Sequence, residues 1–216
     1  MKKEMNELIG NSEFYQHIRK YLGEPSHINL ETLADININL ITFKANEERS
    51  FHTIITHGMS SISAKVPLDE NEWRYTELIM YLPKTWPIMK ENIHEFNEYW
   101  PFGWLRKLGK FPHEMDTWFC YGDTIPNGDP PELIADNTNF CCMLLLPPIR
   151  EDESFVELKI SKETSVRFLA VMPIYKEEMD YHLMHGFRAL LEQFDQYNVN
   201  DIIDINRTNT CKSLNG

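Results

Sequence analysis

The sequence is short of basic side chains: 21 Lys and Arg stand against 33 Asp and Glu, a formal net charge of −12 at pH 7 over 216 residues. That shortage excludes a generic phosphate-binding surface, because nucleic-acid affinity rests on clustered Lys and Arg that release counterions. It suits a partner that is itself basic. Long apolar runs are missing too. The longest, Phe140 to Leu146, falls far below the ~20 residues that span a bilayer. No apolar stretch follows Met1-Lys2-Lys3-Glu4 as a signal peptide requires. The expectation is a cytoplasmic protein with no nucleic-acid and no membrane partner. Cysteine is scarce, with Cys120, Cys141, Cys142 and Cys211 forming no CxxC pair. Cys141 and Cys142 would project from opposite faces of a strand, so unpaired thiols in a reducing compartment are expected. GxGxxG and Walker loops are absent, and no cofactor is expected.

What is present is ordinary globular composition, 42% hydrophobic and 25% charged, enough to bury a core without metal or disulfide staples. Ser12 caps a helix to Leu22, stopped by Gly23-Glu24-Pro25. Alternation from Ala34 to Phe43 predicts a strand, with Phe51 to Thr56 as its hairpin partner and Tyr75 to Leu82 as a third strand. Met89 to Tyr99 and Phe102 to Phe111 carry helical spacing on either side of Trp100-Pro101. Strands follow at Phe119–Thr124, Asn139–Leu146, Phe155–Ile160 and Val166–Ile174, with a long loop from Ile125 to Asn139. A single helix is predicted from Lys176 to Tyr197, with Met179, Leu183, Phe187, Leu190, Leu191 and Phe194 on one stripe. Helices fall in blocks between strand clusters, which predicts an α+β fold: a mostly antiparallel mixed sheet flanked by helices in one compact domain. Residues 1–30 read as a helical segment packed on that domain, 31–205 as the domain, and 206–216 as a polar, frayed tail.

Residues able to carry chemistry are few. His113 with Glu114 and Asp116 lacks the second His of HExxH, since Thr117 occupies that position. His182 and His185 share a helix face near Glu178 and Asp180, but no spacing fixes further ligands. Ser60, Ser61 and Cys120 sit in no nucleophile signature. The expectation is no catalytic residue, no metal and no enzyme, with a metal-dependent hydrolase using His113, Asp116, His182 or His185 as the less favoured alternative. The segment Phe111 to Asp136 is different: it concentrates Glu114, Asp116, Asp123, Asp129, Glu132 and Asp136 among Trp118, Phe119 and Tyr121. Acids around aromatic anchors suit docking of a basic partner, while Asp-Gly and Pro-Pro equally build any long surface loop.

The run TWFCYGDTIPNGDPPE, preceded by WLRKLGKFPHEMD and followed by FCCMLLLPP, resembles the suppressor of fused (SUFU-like) domain family. THGMSS followed by YTELIMYLPKTWP, and VMPIYKEEMDYHLMHG downstream, extend the resemblance from about Ser50 to Val199. Asp123 departs from it, since a histidine is expected there in many bacterial members. The resemblance implies a non-catalytic binding protein. Its bacterial branch of single domains about this long implies an immunity protein, or antitoxin, that neutralises a cognate polymorphic toxin by stoichiometric binding. A cytosolic scaffold or regulator without a toxin is the alternative. The partner-binding residues expected on this reading are Asp116, Trp118, Tyr121, Asp123, Asp129 and Glu132. Gly58, Pro83, Gly122, Pro126, Asn127, Gly128, Pro130 and Pro131 are the structural signature, with Gly122 and Gly128 supplying positive φ.

Overall fold

The sequence pattern of Thr76–Pro83 (β4), TELIMYLP, has no polar alternation beyond Glu77 because this strand is buried on both faces. Leu78, Met80 and Leu82 face one hydrophobic layer, while Ile79 and Tyr81 face the other. The computed structural model describes residues 12–32, 34–88 and 97–212, and β4 lies at its centre. The other strands are His27–Asn29 (β1), Asn39–Phe43 (β2), Phe51–His57 (β3), Thr124–Pro126 (β5), Cys142–Leu146 (β6), Glu157–Lys159 (β7) and Ser165–Ile174 (β8). They form one eight-stranded sheet in the order β1-β2-β3-β4-β8-β6-β5, with β7 added beside β8. Pairing is antiparallel throughout except β4–β8, which is parallel from Thr76↔Arg167 to Ile79↔Ala170. This is the expected α+β mixed sheet flanked by helices in a single domain.

Helices cover both faces. Glu13–Leu22 (α1) starts at Ser12, whose hydroxyl accepts from the Tyr15 backbone N–H at 3.2 Å, and ends at Gly23. It lays Phe14, Ile18 and Leu22 on the layer containing Phe155 and Phe168. Trp100–Glu114 (α2) covers the opposite layer with Phe102, Trp104, Leu105 and Leu108, and has Pro101 in its first turn.

Several expectations are corrected. The strand expected from Ala34 begins only at Asn39. The stretch before it is tied by side chains, with Glu31 Oε2 accepting from the Ile38 N–H at 2.9 Å. Of the helix expected at 89–99, residues 89–96 lie outside the described residues, and Asn97–Tyr99 form a 3-10 turn. The single helix expected at 176–197 is two: Lys176–His185 (α3) and Phe187–Gln196 (α4) meet at Gly186, whose φ of 89° breaks the ladder. The break takes Leu183 off the core; it is 69% exposed, while Met179, Leu190 and Phe194 are buried. Cys141 lies before β6 and shares a layer with Cys142.

The tail expected to fray is anchored. Arg207 forms a bidentate pair with the fully buried Glu178 at 2.6 and 2.5 Å, and its guanidinium lies over Tyr175 and Phe140 at 4.8 and 4.9 Å. Glu178 also accepts from the backbone N–H groups of Tyr175 and Thr210, each at 3.0 Å. Polar composition did not mean fraying here: the buried Glu178 carboxylate takes Arg207 and Thr210 as donors, while Asn206, Thr208 and Lys212 stay exposed.

Candidate functional site

The acidic-aromatic segment runs from the end of α2, along the sheet edge at β5, to the start of β6. Met115 closes α2 through its N–H to the Phe111 carbonyl, and Asp116 turns the chain with φ 54°. Thr117 then returns its N–H to Pro112 O at 2.9 Å. Phe119 is buried and stacks on Phe111 with ring centroids 5.7 Å apart. The strand expected at Phe119–Thr124 is instead a turn followed by β5, because Asp123 folds back on Cys120: its carboxylate accepts the Cys120 N–H at 2.8 Å. Burial, then the Asp123 charge, pushes the Cys120 thiol up to about 12. Gly122, φ 91°, donates to Leu145 O at 2.8 Å, and the Leu145 N–H returns to Asp123 O at 2.9 Å.

Helices α3 and α4 hold this turn from the far side. His182 donates Nε2–H to the Gly122 carbonyl at 2.8 Å. A Cβ on Gly122 would stand 3.2 Å from Phe187 Cγ. Both contacts join residues about 60 positions apart, and nothing in local spacing announces them.

Beyond β5, Asn127 organises the loop. Its backbone N–H reaches Cys141 O at 2.8 Å, its carbonyl accepts from Glu132 at 2.8 Å, and its side-chain amide donates to Leu133 O at 2.7 Å. Gly128 has φ 94°, as expected. Ile134 and Phe140 bury the loop base, and Trp104 Nε1 donates to Ile134 O at 3.3 Å. The loop is therefore ordered from below, and its rim points outward.

The six expected contact residues divide. Asp116, Asp129 and Glu132 are exposed; Asp116 pairs with Lys65, also exposed, a contact worth little. Trp118 is half-buried and lines a groove of about 360 Å³ with Phe119, Cys120, Asp123, Ile125 and Pro126. Tyr121 is half-buried against Trp73, centroids 4.7 Å apart at 78°, and burial raises its pKa. Tyr121 and Asp123 are thus engaged by the fold itself.

The hydrolase residues are also engaged separately. His113 donates Nε2–H to Met59 O at 3.0 Å, Asp116 pairs with Lys65, His182 serves Gly122, and His185 is exposed with its ring 4.3 Å from that of Tyr181. Among the described residues no three His, Cys, Asp or Glu side chains converge as a metal site. Sequence reasoning missed Glu77. It is fully buried, and its Oε1 accepts from the Gly58 N–H, the Ser60 N–H and the Ser60 hydroxyl at 3.0, 3.0 and 2.7 Å, while Oε2 accepts from the Thr56 hydroxyl at 2.6 Å. The glycine-centred turn is built on that one carboxylate. Pro83 ends β4 facing Phe51.

The suppressor of fused protein (SUFU) family model matches residues 34–208. The chain belongs to the suppressor of fused family. A Neisseria gonorrhoeae FA 1090 protein described as a SUFU homologue shares the fold with TM-score 0.65 at 19% identity, over 93% of this chain and 96% of that one. The structure described as the Sufu–Fu complex matches with TM-score 0.62 at 15% identity, over 97% and 92%. Drosophila Suppressor of Fused matches with TM-score 0.58 at 14% identity; this chain covers 51% of it. No curated protein sequence matches significantly. The family match includes Arg207, placing the Glu178 anchor inside the SUFU domain.

Proposed function

We propose that this chain is a non-catalytic protein-binding domain acting in the cytoplasm as an immunity protein, which neutralises a cognate basic toxin by stoichiometric binding through residues 117–132. The observation that carries the reading is the acidic rim. Asp129 and Glu132 stand exposed on a loop whose base is pinned by Asn127, Ile134 and Phe140, beside a groove lined by Trp118. A loop already ordered loses little entropy on docking, and a net charge of −12 steers a cationic partner toward capture. Protein binding accords with the Sufu–Fu complex of a structural relative. Four cysteines without disulfides accord with a reducing compartment, and no helix among the described residues is long and apolar enough to cross a membrane.

The test is co-expression with the product of each neighbouring gene. One product should arrest growth alone, be silenced by this chain, and co-purify with it at 1:1. Several weak partners and no toxic one would favour the scaffold reading, to which the Fu complex of a relative lends support.

A further inference from the structure

The groove between the β7–β8 hairpin and the start of β4 holds an arginine without a counter-ion. Seven of the eight arginines in the chain have a side-chain hydrogen bond or ion pair. Among the described residues Arg74 has neither. Its backbone is fixed, the N–H donating to Asn71 O at 3.3 Å and the carbonyl accepting from the Ala64 N–H at 2.8 Å. The side chain is half-buried. Nε is buried and meets no acceptor, while the two terminal nitrogens, also without a partner, reach the surface. A guanidinium held partly out of water with no anion beside it is costly.

Glu72, two residues earlier, is committed elsewhere: it pairs with Arg167 at 2.5 Å, and that guanidinium lies over the Trp73 ring at 5.2 Å. Arg74 lines a groove of about 560 Å³ whose other wall is the hairpin, with Glu157, Lys159, Lys162 and Glu163 forming no ion pair among the described residues. Thr164 and Ser165 line the same wall, half-buried, and their hydroxyls hold no hydrogen bond among the described residues. The hairpin does not need those hydroxyls, because the Ile160 and Ser161 N–H groups close it on Thr164 O at 2.9 and 3.0 Å. Unused donors thus face one another across the groove.

We propose that this groove docks an acidic peptide of a partner protein, with one side-chain carboxylate on the Arg74 guanidinium. The planar fork of arginine matches a carboxylate through parallel hydrogen bonds, and the Thr164 and Ser165 hydroxyls supply further donors. Glu72, Glu157 and Glu163 also line the groove, so a singly charged carboxylate meets less repulsion than a phosphate of about −1.5 to −2. The volume is several times the ~150 Å³ that accepts benzene, and Tyr75 and Ile160 give it apolar walls. An acidic residue with apolar neighbours fills it better than a free carboxylate ion. Neither the groove nor its ligand depends on the immunity reading, since the loop rim asks for a basic partner and Arg74 for an acidic one.

The test uses the isolated full chain, isotopically labelled at arginine Nε and at methyl groups, titrated with acetyl-Leu-Glu-Leu-amide, acetyl-Leu-Gln-Leu-amide, acetate and inorganic phosphate. The Glu peptide should shift the Arg74 Nε–H signal and the Ile160 and Thr164 methyl signals saturably in the millimolar range. The neutral Gln peptide should bind at least about tenfold more weakly, because it lacks the charge-assisted pair. Arg74→Gln should weaken the Glu peptide by at least about the same factor, and Arg74→Lys by less, since it keeps the charge and loses the fork. Because Arg74 is half-buried, Thr164→Glu provides a second test: it keeps Arg74, adds a carboxylate to the opposite wall, and should weaken the Glu peptide with little change in melting temperature. Equal binding of the two peptides, or Glu-peptide shifts that survive either Arg74→Gln or Thr164→Glu, would overturn the site. Phosphate binding tighter than the Glu peptide would overturn the carboxylate assignment, and acetate binding as tight would overturn the peptide assignment. None of these outcomes bears on whether a toxin is the partner, which the co-expression experiment decides alone.

Discussion

Glu77 Oε1 accepts both the backbone N–H and the hydroxyl of Ser60, at 3.0 and 2.7 Å, from inside the sheet. Removing a buried carboxylate that serves several donors strands all of them, so Glu77→Ala should cost about 3–5 kcal/mol. Glu77→Gln retains one acceptor and should cost about half as much. Urea denaturation measures both, and a loss under about 1 kcal/mol for the alanine variant would show that the turn does not depend on this carboxylate. Gly58→Ala tests the same turn from its backbone: φ is 123°, and the added Cβ would meet Asn37 O at 2.3 Å. It should cost at least about 2 kcal/mol.

The broken helix sets a second prediction. Phe194 is buried in α4, and Phe194→Ala should cost about 3–5 kcal/mol. Phe187 is half-buried against Gly122, so Phe187→Ala should fall below that, at about 2 kcal/mol. Leu183, exposed at the end of α3, should tolerate Ala within about 0.5 kcal/mol. A Leu183 loss equal to that of Phe194 would restore the continuous stripe.

That stripe shows where the sequence was legible and where it was not. Ser12, Gly23, the hairpin of β2 and β3, and the positive φ of Gly122 and Gly128 are local signals, and each appears in the structure as read. Gly186 was also a local signal, but apolar residues on both sides kept the helical period running across it. Glu77 and Glu178 were not legible. A buried carboxylate looks like a surface one until its donors are known, and apart from the Tyr175 N–H these donors lie 17–32 residues away. The same holds for the site: the acidic-aromatic composition was visible, whereas the engagement of Tyr121 by Trp73, and of Gly122 by His182, depends on tertiary contacts.

Acid should destabilise the protein through His17 and His52. Burial lowers both pKa values from 6.5, although carbonyl contacts from Phe155 and Lys84 oppose it. His52 shows why the neutral form is preferred: Nδ1 accepts the Ala45 N–H at 2.9 Å while Nε2–H reaches Lys84 O at 3.0 Å. Each folded pKa lies below the unfolded one. Their stability contribution is therefore complete above pH 6.5 and is lost as pH falls through 6.5 toward the folded values. NMR titration should place both midpoints below 6.5; a midpoint at or above it would contradict the assignment.

The thiols should be slow in the folded state. Burial raises all four, Cys120 to about 12 and Cys141 to about 11, so little thiolate exists at pH 8. A chromogenic disulfide reagent should react slowly with native protein and count four thiols in denaturant. Two or fewer in denaturant would mean that disulfides form.

Charge reversal separates a contact surface from a fold determinant within residues 117–132. Asp129 and Glu132 are exposed and the loop is ordered without their carboxylates. Asp129→Lys with Glu132→Lys should therefore change stability by no more than about 0.5 kcal/mol. If the rim receives a basic partner, the same pair should slow association and reduce its dependence on salt, because the steering charge has been inverted. Trp118→Ala should act differently, accelerating dissociation as an anchor in the groove is lost. Surface plasmon resonance on the 1:1 partner, at two ionic strengths, reads both effects. Unchanged kinetics with an intact fold would move the contact off this loop, toward the exposed end of α3 around Leu183 and His185.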